Sequence, residues 1–263
     1  MKIKFVTLNV FNGNYLDQCA DFLKRENPDI FVLQEVYDGG DTRLETKYRS
    51  LEILKNHFSS HHCYFSPEYF RAIKGRRIDS GNAIFTRSPI IKRQTDFFSG
   101  SYRERTKESF EEFLNSPRNL QQVQIKTEDT IIHIFNTHGI WGTHGRDTSD
   151  RINMGELIAE EVKGKEKAVL AGDFNISTDT RTIGLIKRQL KNVFKDELRS
   201  TFNMKIKTPF VKKLHFFNDG DITSFSKAVV DMIFVSEDIK VVRHYQPKVD
   251  ISDHYPLAAT LEI

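Results

Sequence analysis

Three short stretches place metal-ligand and acid–base groups at the ends of apolar runs: Leu33-Gln34-Glu35, Ala171-Gly172-Asp173-Phe174-Asn175 and Ile251-Ser252-Asp253-His254. Polar groups beside buried strands must find partners or an ion, because leaving them unpaired is costly. The groups offered are carboxylates, amides and an imidazole. Hard oxygen donors of this kind suit Mg²⁺ and phosphate chemistry, whereas zinc would ask for more Cys and His. The chemistry implied is metal-dependent hydrolysis of a phosphate ester.

Glu35 follows Phe31-Val32-Leu33, so its carboxylate is expected where a buried strand ends. It is the first choice for a Mg²⁺ ligand, with Asn9 and Asp253 beside it. A solvated glutamate after a strand is the ordinary alternative. Asp173 would hold or deprotonate an attacking water, and Asn175 would orient that water or the phosphate. For this pair the ordinary alternative is an Asx-turn. Asp231 is buried by pattern within Val229-Val230-Asp231-Met232-Ile233-Phe234-Val235 and needs a partner. His254 offers one, and a carboxylate there would fix its tautomer and favour its protonated form. The bland version is a core Asp–His pair with no catalytic duty. His138 is the second imidazole available to a phosphate.

Strand-like runs are expected at Ile3 to Val10, Ile30 to Leu33, Asn82 to Phe85, Leu120 to Ile125, Thr130 to Asn136, Ala168 to Ala171, Val229 to Val235 and Leu257 to Ile263. Helical spacing appears at Leu16, Ala20 and Leu23, stopping before Pro28. It recurs at Leu44, Tyr48, Leu51 and Phe58, and at Ile183, Ile186, Leu190 and Val193. Ser149 or Asp150 is placed to cap a helix carrying Ile152, Leu157, Ile158 and Val162. On these elements Glu35, His138, Asp173 and Asn175 sit at C-terminal strand ends, and Asn9 lies late in the first strand. Asp231 lies early in its strand, and Asp253-His254 immediately precedes the last one. All of them meet at one edge if the strands of Asp231 and Leu257 run antiparallel to the others.

The 263 residues, with no repeat or linker, are read as a single α/β domain over 1–263. A hydrophobic fraction of 38% and a charged fraction of 29% fit an ordinary globular protein. A net charge of +3 selects no partner class. The two cysteines, Cys19 and Cys63, form no CxxC pair. No run is long enough for a signal peptide or an integral membrane segment, so the expected location is cytoplasmic.

The ordered set Thr7-Leu8-Asn9-Val10, Leu33-Gln34-Glu35, Asn136-Thr137-His138, Gly172-Asp173-Phe174-Asn175, Val230-Asp231-Met232-Ile233 and Ser252-Asp253-His254 resembles the endonuclease/exonuclease/phosphatase superfamily. The resemblance covers nearly the whole chain. It implies a four-layer α/β sandwich, two packed mixed β-sheets flanked by helices, and Mg²⁺- or Mn²⁺-dependent hydrolysis by in-line attack of water. By motif it assigns Asn9, Glu35 and Asp253 to the metal, Asp173 and Asn175 to water and phosphate, Asp231 and His254 to an acid–histidine pair, and His138 to the phosphate. Ile134-Phe135-Asn136-Thr137-His138-Gly139 is similar to the branches holding DNase-type nucleases, sphingomyelinases and phosphodiesterases. Ser-Asp-His differs from the Ser-Asp-Arg usual in inositol-phosphate 5-phosphatases.

For the substrate, Lys205, Lys207, Lys212 and Lys213 interleave with Phe202, Phe210, Phe216 and Phe217, a pattern that suits base stacking and backbone charge. Core phenylalanines between solvated lysines are the ordinary reading. Arg118 could reach the active edge, with a surface ion pair as its alternative. Trp141, His144 and Arg146 lie on a loop directly after His138 and are candidate substrate contacts. The reading ranks a nucleic-acid phosphodiesterase first, a small-molecule or lipid-headgroup phosphatase second, and a non-catalytic binding module last, because every expected acidic and imidazole position is filled.

Overall fold

The computed structural model describes residues 1–107, 109–213 and 217–263. In chain order its elements are β1 (Lys2–Asn9), α1 (Leu16–Glu26), β2 (Ile30–Asp38), α2 (Ser50–His57), β3 (His62–Ile73), β4 (Arg76–Thr86), β5 (Ile90–Ser99), β6 (Arg103–Glu104), α3 (Phe110–Leu114) and β7 (Arg118–Lys126). There follow β8 (Ile131–His138), α4 (Ser149–Val162), β9 (Ala168–Asp173), α5 (Arg181–Lys187), β10 (Lys191–Asn192), α6 (Met204–Val211), α7 (Asp219–Phe225), β11 (Asp231–Val235), β12 (Lys240–Tyr245) and β13 (Leu257–Glu262). The strands form a seven-stranded sheet, β12-β13-β1-β2-β4-β3-β6, and a six-stranded sheet, β10-β11-β9-β8-β7-β5.

Side chains alternate across a strand, and this sorts the apolar residues into layers. Ile3 and Phe5 of β1, Ile30 and Val32 of β2, Ile132 and Ile134 of β8, Val169 and Ala171 of β9, and Ile233 and Val235 of β11 form one core between the sheets. The opposite parity of the first sheet, Val6, Leu8, Phe31 and Leu33, packs under α1 and α2 through Leu16, Cys19, Leu23, Leu51 and Leu54. Phe135, Leu170, Met232 and Phe234 of the second sheet pack under α4 and α5 through Met154, Ile158, Ile183 and Ile186. The result is the four-layer sandwich that the sequence led us to expect.

The inward parity continues beyond the apolar rows, and there it turns polar. Thr7 and Asn9 extend the row of Phe5, Gln34 that of Val32, Asn136 and His138 that of Ile134, and Asp173 that of Ala171, while Asp231 precedes Ile233. All of these are buried. Amides tie the two sheets together here. Gln34 Nε2 donates to Asn136 Oδ1 at 2.7 Å, and Asn136 Nδ2 donates to Gln121 Oε1 at 3.1 Å and to the Leu33 carbonyl at 3.0 Å. Gln121 Nε2 in turn donates to the carbonyls of Tyr64 and Asn82. Although the Gln34 and Asn82 side-chain oxygens accept no hydrogen bond, these directional amide bonds fix the sheets in register where an apolar layer would let them slide.

β13 runs antiparallel to β1 and β11 antiparallel to β9, while the β1–β2 and β8–β9 pairs are parallel. The expected convergence on one edge therefore occurs. Several local expectations change. Thr148 caps α4 through the Arg151 N–H, and Ser149 and Asp150 are already helical. α5 ends at Lys187, so Leu190 and Val193 pack after the helix rather than on it. β2 extends to Asp38, so Glu35 lies not past a strand end but in an irregularity between Leu33 and Val36, with φ of +59°. β3, β5 and β12 were not expected: Pro67 interrupts β3, and β5 and β12 expose many of their side chains. Among the described residues no helix is long and apolar enough to cross a membrane.

Replacing Asn136 with Ala removes the amide shared by Gln34 and Gln121. Urea denaturation should show a loss of about 3 kcal/mol, the cost of leaving Gln121 Oε1 without a donor and Gln34 Nε2 with only the Thr7 hydroxyl, besides the two carbonyls Asn136 serves.

Candidate active site

The site begins where the strands stop pairing. β1 ends at Asn9, β8 at His138 and β9 at Asp173, and β11 starts at Asp231 opposite Asp173. The short chain before β13 brings in Asp253 and His254. It is fastened by the Ser252 hydroxyl, which donates to the Asn9 carbonyl, and by an isolated bridge between Phe202 and His254.

His254 Nδ1 lies 2.8 Å from Asp231 Oδ2, and its Nε2 faces Asp173 Oδ2 at 3.7 Å. Burial works against a charge on this ring. The carboxylates of Asp231, Asp173 and Asp253 outweigh that cost and push its pKa up to about 9. His138 is the opposite case. Burial, reinforced by the cations Arg118, His254 and Lys207, holds it well below its usual value, so it is a neutral imidazole. Its Nε2 is 3.7 Å from Asp173 Oδ2 and 4.0 Å from Glu35 Oε1. Two imidazoles driven apart in this way take different roles: one brings positive charge, and the other offers neutral hydrogen bonding.

Asp173 is pushed up to about 6, chiefly by burial and then by Asp231, against the lowering effect of His254. It accepts from the Asn175 N–H at 2.9 Å and the Asn9 Nδ2 at 3.2 Å. Asn175 has a φ of +54°, and its amide donates to the Gly139 carbonyl at 3.1 Å. Its side chain is thus turned back toward the loop after β8. Asn9 Nδ2 also donates to Glu35 Oε1 at 3.1 Å. Burial and then the Asp253 carboxylate raise Glu35 above the ordinary carboxylate range.

Asn9, Glu35, His138, Asp173, Asn175, Asp231, Asp253 and His254 are all brought to this edge. Asp173, Asp231 and His254 offer ligand atoms within 4.8 Å of one another. An imidazolium has no lone pair to give, so that trio serves better as an acid–imidazolium–acid relay than as a metal cage. The hard donors left for a divalent ion are Glu35, Asp253 and the Asn9 Oδ1, which also accepts from the Phe11 N–H at 3.0 Å. Crowded carboxylates that raise one another's pKa are the donor set such an ion would suit.

Three further groups were missed. Asn12 Nδ2 donates to Glu35 Oε2 at 2.6 Å from a φ of +53°; the Asn12-Gly13 pair after a strand was its sequence signal. Glu68 lies in the interrupted strand β3, buried, 2.7 Å from Arg118 Nη1 and 4.0 Å from His138 Nδ1. Burial pushes its carboxyl up to about 7 even against Arg118. Lys207 of α6 donates from Nζ to Asp253 Oδ2 at 2.8 Å; within its lysine-rich stretch nothing in the sequence distinguished it from its neighbours.

The proposed substrate contacts are placed unevenly. Arg118 is at the edge, but its guanidinium is held inside by Glu68 and by the Gly139 carbonyl, a buried rather than a surface ion pair. Trp141 is half-buried and packs edge-on to Phe110 and Phe217. His144 and Arg146 are exposed, and Arg146 pairs with Asp179 at 3.0 Å. Buried Arg151 holds their loop by donating to the carbonyls of Ile140, His144 and Arg146. Of the interleaved stretch, Phe202 is buried, Lys205, Lys212 and Lys213 are solvated, and Phe216 lies outside the described residues.

Residues 6–254 match the model of the Endonuclease/Exonuclease/phosphatase family, and the chain belongs to that family. Its members hydrolyse phosphate esters and depend on a metal. Among solved structures, an endonuclease/exonuclease/phosphatase protein of Beutenbergia cavernae is similar with a TM-score of 0.71 at 15% identity, over 100% of this chain and 72% of that one. The mannosyl-6-phosphatase Bt3783 of Bacteroides thetaiotaomicron aligns with a TM-score of 0.68 at 20% identity, over 99% and 100%. D. rerio TDP2, complexed with a single-strand DNA product, aligns with a TM-score of 0.68 at 15% identity, over 100% and 99%. At these identities the likeness shows the fold. No curated protein matches the chain significantly in sequence.

In the metal-free protein Asp173 should lose its proton near pH 6 and His254 near pH 9, which an NMR titration of the two side chains checks. A divalent ion beside them lowers both, so the rise and fall of kcat at saturating metal should lie at lower pH than these values.

Proposed function

We propose that this chain is a Mg²⁺- or Mn²⁺-dependent phosphodiesterase acting on nucleic acid, by in-line attack of an activated water. The observation that carries the reading is the cationic His254 facing the ionisable Asp173, with Glu35 and Asp253 adjoining them. Asp173 accepts the proton of the attacking water as the new P–O bond forms; the ester P–O bond breaks, and the leaving alkoxide takes a proton from solvent and departs as the alcohol. His254, held by Asp231, donates its Nε2–H to a phosphate oxygen and stabilises the charge that builds there. Neutral His138 hydrogen-bonds the same phosphate, and Asn175 fixes the loop that shapes the floor. Glu35, Asp253 and Asn9 would hold the divalent ion, whose chemistry is Lewis-acid neutralisation of phosphate charge.

Two features support nucleic acid over other phosphate esters. Aromatic rings run outward from the site: Phe202 lies against His254 with centroids 4.5 Å apart, Phe225 against Phe202, Phe217 against Phe225, and Trp141 against Phe217. The solvated lysines 205, 212 and 213 lie on or just after α6, close by in sequence. The half-buried Phe225, Phe217 and Trp141 with the solvated Lys212 and Lys213 are the residue types that a sequence-tolerant strand-binding surface would use. The phosphatase reading draws on the fold it shares with the mannosyl-6-phosphatase.

Release of nitrophenol from bis(p-nitrophenyl) phosphate and from p-nitrophenyl phosphate separates the two. The diester should turn over, stop with a chelator, and lose about 10²–10³-fold in kcat in His254→Ala. Turnover of the monoester alone would favour the phosphatase, and unchanged kcat in His254→Ala would make the Asp231–His254 pair structural.

A further inference from the structure

Lys207 is the one lysine whose ammonium enters the acidic centre in the described residues. It lies on the second turn of α6, outside both sheets, yet its side chain is only 14% exposed. The ammonium is 2.8 Å from Asp253 Oδ2, 4.6 Å from the centroid of Phe202 and 5.7 Å from that of Phe225. Phe202 packs against His254, so the lysine and the catalytic imidazole share one ring as a wall. α6 is fixed to the site by short bonds. The Asn203 N–H donates to the Asp253 carbonyl at 2.8 Å, and the Tyr255 N–H donates to the Thr201 carbonyl at 2.7 Å.

A lysine placed to stabilise the fold would gain little from this position, since a buried ion pair rarely outweighs its desolvation. Its partner, moreover, is a carboxylate in the group that would hold the divalent ion. A metal there and the ammonium would compete for Asp253. The lysine stem is flexible, and a new anion arrives only with the substrate.

We propose that Lys207 is a catalytic residue of the phosphate site: its ammonium balances Asp253 while the centre is empty and hydrogen-bonds a non-bridging oxygen of the substrate phosphate when the centre is loaded. This rests on the phosphoesterase reading above.

The test is calorimetric titration of Lys207→Met with Mg²⁺ alone, and then with inorganic phosphate at saturating Mg²⁺. Methionine keeps the stem over Phe202 and removes the charge. We expect Mg²⁺ to bind several-fold more tightly than to the wild type and phosphate to bind about tenfold more weakly. Lys207→Arg, which keeps the charge, should recover most of the phosphate affinity. Unchanged phosphate affinity, or a large loss of Mg²⁺ affinity, would overturn the inference and make Lys207 a strut for Asp253. In the wild-type protein, the ¹⁵N resonance of the Lys207 ammonium should shift on adding Mg²⁺ and again on adding phosphate. A resonance indifferent to both additions, in a protein that binds them, would also overturn it. Wild-type protein that binds neither ion would remove the phosphoesterase reading itself, a result distinct from failure of Lys207 alone.

Discussion

The structure turns on the crowding of carboxylates at one edge of the sandwich. Glu35, Glu68, Asp173, Asp231 and Asp253 lie buried or half-buried there, against the cations His254, Arg118 and Lys207. Five acids set against three bases leave an excess of two negative charges when all are ionised. The protein carries this burden in three ways. It lifts the carboxyls of Glu68, Asp173 and Glu35, it forces a proton onto His254, and it draws a lysine inward from a peripheral helix. A divalent cation would complete the balance, since an isolated buried charge is too costly to leave unpaired.

What makes such crowding tolerable is the layer beneath it. Moving inward along the sandwich, the strands pass from the acids to the amides of Gln34, Asn82, Asn119, Gln121 and Asn136, and then to a dry aliphatic core. The amide layer absorbs no charge, but it holds β2, β4, β7 and β8 in fixed relation. Stability thus lies at one end of each strand and chemistry at the other. The same two-residue alternation specifies both.

That alternation explains how much could be read from the chain. Asn9, His138, Asp173 and Asp231 were legible because each continues or opens an apolar strand row. His254 was legible because a buried Asp231 demands a partner. The four-layer architecture came from the ordered motifs rather than from periodicity. Glu35 was assigned correctly to the edge but by the wrong route: a backbone irregularity, not a strand end, turns it there. Glu68 was hidden by Pro67, which breaks the pattern of its strand, and Lys207 by the resemblance of its lysine-rich segment to a solvated face. Both are tertiary facts, fixed by which elements come to rest beside the acids. Arg118 shows the converse, a plausible substrate contact that the fold commits to Glu68.

The central claim is that this acidic edge is a divalent-cation site built around Glu35. The most direct measurement is the electron paramagnetic resonance of Mn²⁺ titrated into the wild-type protein and into Glu35→Gln, a variant that keeps the shape and removes a charge. The account predicts that the free-ion signal is quenched by saturable binding to the wild type and that binding weakens by about tenfold or more in the variant. No saturable binding to the wild type, or equal binding to both proteins, would contradict it.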